Sequence, residues 1–250
     1  MIWLAALVPQ LVVVIVLTLL ELRSGRGGGD WLINLQVWAI NMIAGLTVYK
    51  LVVVWHGASL IDGSALPVWL AVTLFIVTHD LGEYLFHRAQ HRIPWLWAMH
   101  SLHHSDPDMS ALTSNRHFWG DPMIKTLTIW PLAFLVISPT TEALAAYFAV
   151  SLWNFVAHAN LRLNFGKWSW VLNSPAYHRR HHSQNPDHYD SNFAALFPIF
   201  DVLAGSYHRP EGHPATGLER QPRNVVDLLL WPFQYQRRPV ASSVADGQAI

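Results

Sequence analysis

Long uncharged stretches fill the first third of the chain and give way, near residue 87, to segments in which histidine recurs at helical spacing. Residues 2–20 (IWLAALVPQLVVVIVLTLL) form an uncharged run long enough to cross a bilayer as a helix. Arg23, the first basic residue, follows that run, whereas a cleaved secretory leader carries basic residues ahead of its apolar core. The run therefore reads as an uncleaved anchor. A glycine-rich turn, Ser24 to Asp30, leads to a second apolar span near residues 31–55, in which Lys50 is expected to snorkel toward an interface. A third span, about residues 67–87, runs directly into the first histidine group.

Charge sets the expected topology. Arg23 and Arg26 lie between the first two spans, the loop at 56–66 has no Lys or Arg, and a basic region starts at Arg88. Basic loops are retained in the cytoplasm, so three consecutive crossings place the amino terminus outside and the histidine-rich part inside. Residues 126–157 are again apolar but are interrupted by Ser138-Pro139-Thr140-Thr141-Glu142. Proline and a carboxylate at the midpoint break a helix, which predicts a hairpin of two shorter helices, spanning or re-entrant. Such a hairpin returns the chain to the side it left. Residues 225–236 (VVDLLLWPFQYQ) read as an interfacial amphipathic segment limited by Pro232, and the last residues (RPVASSVADGQAI) as a disordered tail. The expected fold class is all-α: an integral membrane helical bundle with a cytoplasmic histidine-rich cap.

Composition narrows the chemistry. The 250 residues are 52% hydrophobic and include 13 tryptophans, a side chain that favours membrane–water interfaces. The formal net charge is zero, which gives no reason to expect nucleic acid as a partner. There is no cysteine, so disulfides, thiolate ligands, cysteine-bound iron–sulfur clusters and a cysteine nucleophile are excluded. Histidine, with 15 residues, is the only abundant side chain suited to a transition metal.

Those histidines fall into three clusters: His87-Arg-Ala-Gln-His91, His100-Ser-Leu-His103-His104 and His178-Arg-Arg-His181-His182. Positions i, i+3 and i+4 share a helix face, so each cluster is expected to aim its imidazoles at one point. One such cluster arises by chance on helices; three together point to metal. Eight imidazoles exceed the four ligands of a structural zinc site, whereas two metals with four or five each use the full set. Imidazole alone does not choose among iron, zinc, copper and nickel. The catalytic glutamate of His-Glu-x-x-His zinc hydrolases is missing, because Arg88 and Arg179 follow His87 and His178. An oxygen-accessible site beside an apolar membrane cavity suits iron and oxidative attack on a lipid C–H bond.

The stretch Asp80-x-x-Glu-Tyr-x-x-His-Arg-x-x-His91 followed by Leu96-Trp97-x-x-His-x-x-His-His-Ser105 resembles the fatty acid hydroxylase/sterol desaturase superfamily. So does Ser174-Pro-x-Tyr-His-x-x-His-His-Ser183 with Asn192-Phe193 and Phe200-Asp201 downstream. The similarity covers about residues 70–208. It implies an integral membrane di-iron oxygenase that uses O2 and electrons from a separate donor, a reductase with a ferredoxin- or cytochrome b5-like carrier. It also implies a lipid substrate: a fatty acyl chain, a sterol or other isoprenoid, or an ether lipid. By position, His87, His91, His100, His103, His104, His178, His181 and His182 match the eight motif ligands of two iron ions. His158, in Val156-Ala-His-Ala-Asn160, matches a further ligand. The chain then divides into N-terminal transmembrane helices (1–66), a catalytic domain (67–210), and a C-terminal interfacial segment with its tail (211–250).

The sequence also departs from the family pattern. Asn192-Phe193-Ala194 stands where Asn-Tyr-Gly is common, Phe200-Asp201 replaces Trp-Asp, and Arg116-His117 with Asp121 replaces Arg-x-His followed by an acid. Metal-bound histidines usually donate their second ring N–H to a carboxylate or carbonyl. Asp80 and Glu83 precede His87 on one predicted helix and are candidates for that role, with a histidine or Arg88 as the expected partner; the plainer alternative is that Glu83 pairs with a basic residue at the interface. Asn192 and Asp201 are further candidates, either bonding ligands or shaping turns. His56, His188, His208 and His213 lack cluster spacing and read as ordinary surface or interface residues. The competing readings are a histidine-rich metal-binding or transport protein without oxygenase activity, a haem protein with two axial histidines, and a zinc hydrolase.

Overall fold

The computed structural model describes residues 2–26, 30–52 and 58–234, with the side chains of 2–7 and 45–52 excepted. The Lys50 side chain, His56 and the C-terminal tail, and the expectations attached to them, lie outside what is described. Among the described residues the chain is helical, without a paired strand; two isolated bridges, Ile61 with Ile137 and Ser183 with Thr216, are its only β-type pairings there.

The apolar runs become helices. The first two are α1 (Ile2–Arg23) and α2 (Trp31–Val52), and α3 (Val68–Arg92) follows Pro67 and continues without a breaker through the first histidine cluster. Among the described residues, α3 alone is long and apolar enough to cross a membrane. The short helix α4 (Pro94–His100) follows at once, and α5 (Gly120–Val136) and α6 (Thr141–Ser151) are the two shorter helices expected, both packed on α3. The break falls where the sequence placed it: Ile137 is extended, and Thr140 opens α6 by accepting a hydrogen bond from the Ala143 amide at 3.2 Å. Helices α7 (Trp153–His158), α8 (Pro175–His181), α9 (Ile199–Ala204) and α10 (Val225–Gln234) complete the series.

α3 is the central element, packed against α4, α5 and α6. Phe75, Ala133, Ile137 and Ala143 bury an apolar seam there, walled by Trp130, Phe134 and Tyr147. Gly82 allows α3 and α5 to approach, since a methyl group at that position would sit 3.0 Å from the Ile129 side chain. Buried polar groups fasten the N-terminal helices to the loops that carry the histidines. Glu21 of α1 accepts the amides of Ala111 at 2.9 Å and Asn160 at 2.7 Å. Asn34 of α2 donates to Asp106 and accepts from the fully buried Arg116, whose Nε also donates to Ser105. Arg116 lies 3.7 Å from Asp106 and 3.6 Å from Asp30, and these carboxylates offset the several kcal/mol an unpaired buried cation would cost. α10 is two-faced: Leu228 and Trp231 are buried against α2 and α4, with the indole donating to Ser101, while Val226 and Phe233 are exposed.

Candidate metal centre

Two of the three clusters are delivered by short helices of the same design. α4 and α8 each span seven residues, begin with proline and end on histidine. Proline at the first helical position costs nothing, because its missing N–H would have no partner there and its φ is already helical. α8 is further fixed by Ser174, whose hydroxyl accepts the Tyr177 amide. The first cluster rides on the last turns of α3, and His158 ends α7.

The nine histidines assemble into two groups. The ligating atoms of His87, His91, His100, His104 and His181 lie within 4.8 Å of one another, as do those of His103, His158, His178 and His182. The groups share a wall: the His104 and His182 rings stack 4.2 Å apart. Contrary to the expectation that each cluster aims at one point, the second and third clusters straddle both groups. His100 and His104 face one group while His103 faces the other; His178 and His182 face one while His181 faces the other. The same division recurs in both clusters, i with i+4 and i+3 apart, although α8 runs unbroken from His178 to His181 while α4 ends at His100 ahead of a 3-10 turn over His103–Ser105.

Opposed Nε2 atoms meet at 3.0 Å between His87 and His100, 3.0 Å between His103 and His158, and 2.9 Å between His158 and His178. The Nε2 atoms of His104 and His182 are buried without a hydrogen-bond partner. Burial, reinforced by neighbouring imidazoles, pushes His103, His104, His178 and His182 well below the ordinary histidine range. They are therefore neutral at physiological pH and carry free lone pairs. Buried, neutral, convergent nitrogen donors without a thiolate fit a borderline transition-metal ion, iron included.

Outer partners hold the first group in place. His87 Nδ1 donates to the Phe193 carbonyl at 2.7 Å and His181 Nδ1 to the Ser191 carbonyl at 2.8 Å. His91 Nδ1 lies 3.5 Å from Asp190, and His100 Nδ1 3.4 Å from Asp121. In the second group His158 Nδ1 donates to the Asn154 carbonyl at 2.7 Å, while Nδ1 of His103 and of His178 is buried without a partner. His103 instead stacks on His117, 4.3 Å away and nearly parallel, and His117 donates to Asp121 at 3.1 Å.

The four candidate supporting residues act at one remove. Asp201, fully buried, accepts from the amides of Phe193 and Ala194 and from the hydroxyls of Tyr177 and Ser206. Asn192 has a positive φ of 59° and bonds the His208 amide and the carbonyls of Tyr177 and His208. Asp80 accepts the amides of Leu196 and Phe197. These three shape the loop whose carbonyls hold His87 and His181. Glu83 pairs with a basic residue, Lys125, as in the plainer of the two sequence readings, and not with a histidine ligand or Arg88, which donates to Tyr84. Lys125 lies across the helix interface on α5, where neither charge pattern nor spacing announces it. Asp121, the acid that follows Arg116-His117 in the sequence, accepts from His100 and His117, partners that its position alone does not announce. Of the histidines outside the clusters, His188 bonds Ser183, His208 bonds Arg180 and His213 bonds Asn160.

The sequence model of the fatty acid hydroxylase family matches residues 72–206, and the chain belongs to that family. Among curated relatives, an alkylglycerol monooxygenase of Xenopus tropicalis is 32% identical over 192 residues, covering 77% of this chain and 41% of that protein. The ornithine lipid hydroxylase OlsE of Rhizobium tropici is 26% identical over 69% of this chain and 53% of its own length. A Delta(7)-sterol 5(6)-desaturase of Schizosaccharomyces pombe is 24% identical, covering 68% and 54%. The chain thus spans about half or less of the length of these relatives. No solved structure matches it.

Proposed function

We propose that this chain is a membrane-bound di-iron oxygenase that hydroxylates or desaturates an aliphatic position of a lipid, using O2 and electrons from a separate reductase and its carrier. The observation that carries this reading is the sorting of nine buried histidines into one group of five and one of four. Family membership and relatives named as lipid oxygenases point the same way. His87, His91, His100, His104 and His181 would hold one iron, and His103, His158, His178 and His182 the other. Bound iron would supply activation of dioxygen and attack on the C–H bond.

The protein's own contribution is orientation and exclusion of water. Carbonyls at Ser191 and Phe193 keep the Nδ1–H tautomer of His181 and His87, leaving Nε2 directed inward. In this reading residues 67–210 form the catalytic domain on the cytoplasmic side of a multi-pass bundle, with 1–66 as membrane anchor and 211–250 at the interface. The uncharged runs and the basic loops at Arg23, Arg26 and Arg88 support that arrangement. The substrate is a fatty acyl lipid, an isoprenoid such as a sterol, or an ether lipid.

The test is the metal content of detergent-purified protein expressed with iron supplied, beside His181→Ala. About two irons per chain, with loss of metal and of lipid oxidation in the variant, is the expected result. A well-folded protein that binds no metal after reconstitution would overturn the reading.

A further inference from the structure

A cavity of about 30 Å³ lies between α3, α6 and α7, walled by Asp80, Glu83, Tyr147, Ser151 and Asn154 with Ile76 beside them. It has room for a group the size of one or two water molecules. Its position is informative. Glu83 stands one helical turn before His87 on α3, and Asn154 one turn before His158 on α7. The cavity therefore approaches both histidine groups, each at about 6 Å along a helix axis.

A second observation points to a ligand. His79 is 1% exposed, and neither of its ring nitrogens has a hydrogen-bond partner. Its ring packs 4.0 Å from Tyr147 and its Nδ1 faces Glu83 at 3.9 Å, too far to bond. Both of those neighbours wall the cavity. A buried imidazole without a partner is costly, and this one stands behind the Tyr147–Glu83 wall rather than lining the cavity itself.

The wall says what the cavity can take. Glu83 is matched by Lys125, and both Asp80 oxygens are occupied by backbone amides. Among the described residues no cation lines the cavity to hold an anionic head such as a carboxylate or phosphate, and 30 Å³ admits neither a phosphate nor a sugar. The Tyr147 hydroxyl and the Asn154 amide suit a small neutral oxygen, with the Ser151 oxygen, whose proton goes to the Phe148 carbonyl, as a further acceptor. We propose that this cavity receives the uncharged, oxygen-bearing head of the lipid substrate, a hydroxyl or carbonyl, and so sets which carbon faces the metal centre. The inference rests on the oxygenase reading and makes the carbons near the head the ones attacked.

The experiment is equilibrium binding of tritiated hexadecanol to the full chain in detergent, with iron content measured on the same samples. Unlabelled hexadecanol should displace the probe, while hexadecane and palmitate should compete at least about tenfold less well. Asn154→Leu fills the cavity yet keeps the backbone carbonyl that holds His158. It should weaken hexadecanol binding by about tenfold or more at unchanged iron content. Tyr147→Phe, which removes a single oxygen, should weaken it less and decides the matter should Asn154→Leu fail to fold. Equal competition by hexadecane or palmitate, or full binding by a folded variant, would overturn the cavity assignment. Loss of iron from the wild-type protein would instead sink the oxygenase reading, so the two failures are separable.

Discussion

The two histidine groups are built from the same clusters yet held differently. Four of the five imidazoles in the larger group have an outer partner in reach of Nδ1: the Phe193 and Ser191 carbonyls and the Asp190 and Asp121 carboxylates. In the smaller group only His158 has a hydrogen bond of that kind, to the Asn154 carbonyl; Nδ1 of His103 and His178 is without one. An outer hydrogen bond fixes tautomer and ring orientation before metal arrives, which strengthens the ligand. The larger group is therefore the pre-formed one, and the smaller group depends more on the metal itself to organise it. A chelator should strip the smaller group first.

Removing a ligand from the less braced group is the hardest test of that contrast. His158→Ala takes away the one imidazole of that group with a fixed tautomer. Iron should fall from about two per chain to about one, with oxidation of lipid abolished. Metal analysis of the purified variant reads this directly. Retention of both irons would remove His158 from the ligand set, and loss of both would mean that the groups are not independent.

Asp121→Asn probes the larger group from outside. The carboxylate accepts from His100, His117 and Gln90, so an amide would present a donor where donors already converge. Affinity for the tighter-held iron should drop about 10–100-fold, measured by competition with a chelator of known affinity. A drop confined to the weaker site would reverse the contrast and route the effect through the His117–His103 stack instead.

A smaller effect is expected at Asn192→Gly. Glycine adopts the positive φ without strain but deletes the side-chain bonds that tie the loop to Tyr177 and His208. Stability should fall by about 1–3 kcal/mol, read as a lower unfolding temperature of the metal-free protein. An unchanged unfolding temperature would mean that backbone conformation alone holds the carbonyls that brace His87 and His181.

Much of this arrangement is legible in the chain, for identifiable reasons. Uncharged runs predict α1 to α3 because burying or lipid-facing apolar surface requires them, and Ser138-Pro139 predicts the hairpin because proline cannot continue a helix. The clusters stand out because histidine is scarce in apolar helices. The partition into five and four is not legible, because it depends on how α3, α4, α7 and α8 bring residues from distant parts of the chain together in the fold. Braces made of backbone carbonyls leave no trace in residue identity: Ser191 and Phe193 act through atoms that every residue has. Asp201 and Asn192 carry a signal only as polar residues after the third cluster, and their partners become visible only when the loop closes on α8. Lys125 is hidden for a different reason, since it meets Glu83 of α3 across a helix interface. Asp121 is visible in the sequence only as the acid after Arg116-His117, its partners His100 and Gln90 again lying across an interface.

The smallest expected effect marks the outer edge of the site. His213 bonds Asn160, which is already held by Arg179 and by Glu21, so its loss leaves that anchor in place. His213→Ala should leave iron content unchanged at neutral pH. Acid should reveal the difference. Partial burial first, then the nearby Arg179, Arg162 and Arg26, lower His213 to about 4, below the ordinary value of about 6.5. A histidine kept neutral in the folded protein binds fewer protons there than in the unfolded chain. Its contribution is thus intact above about pH 6.5 and declines as pH falls toward 4. Solvent screening keeps the effect small. The wild-type protein should lose slightly more stability than His213→Ala between pH 7 and pH 5, measured by thermal unfolding of both. Parallel pH profiles would show that the His213 ring is better solvated than its contacts imply. Loss of iron in the variant would carry the metal centre's support outward, through Asn160 and Arg179, beyond the two groups that the histidines themselves define.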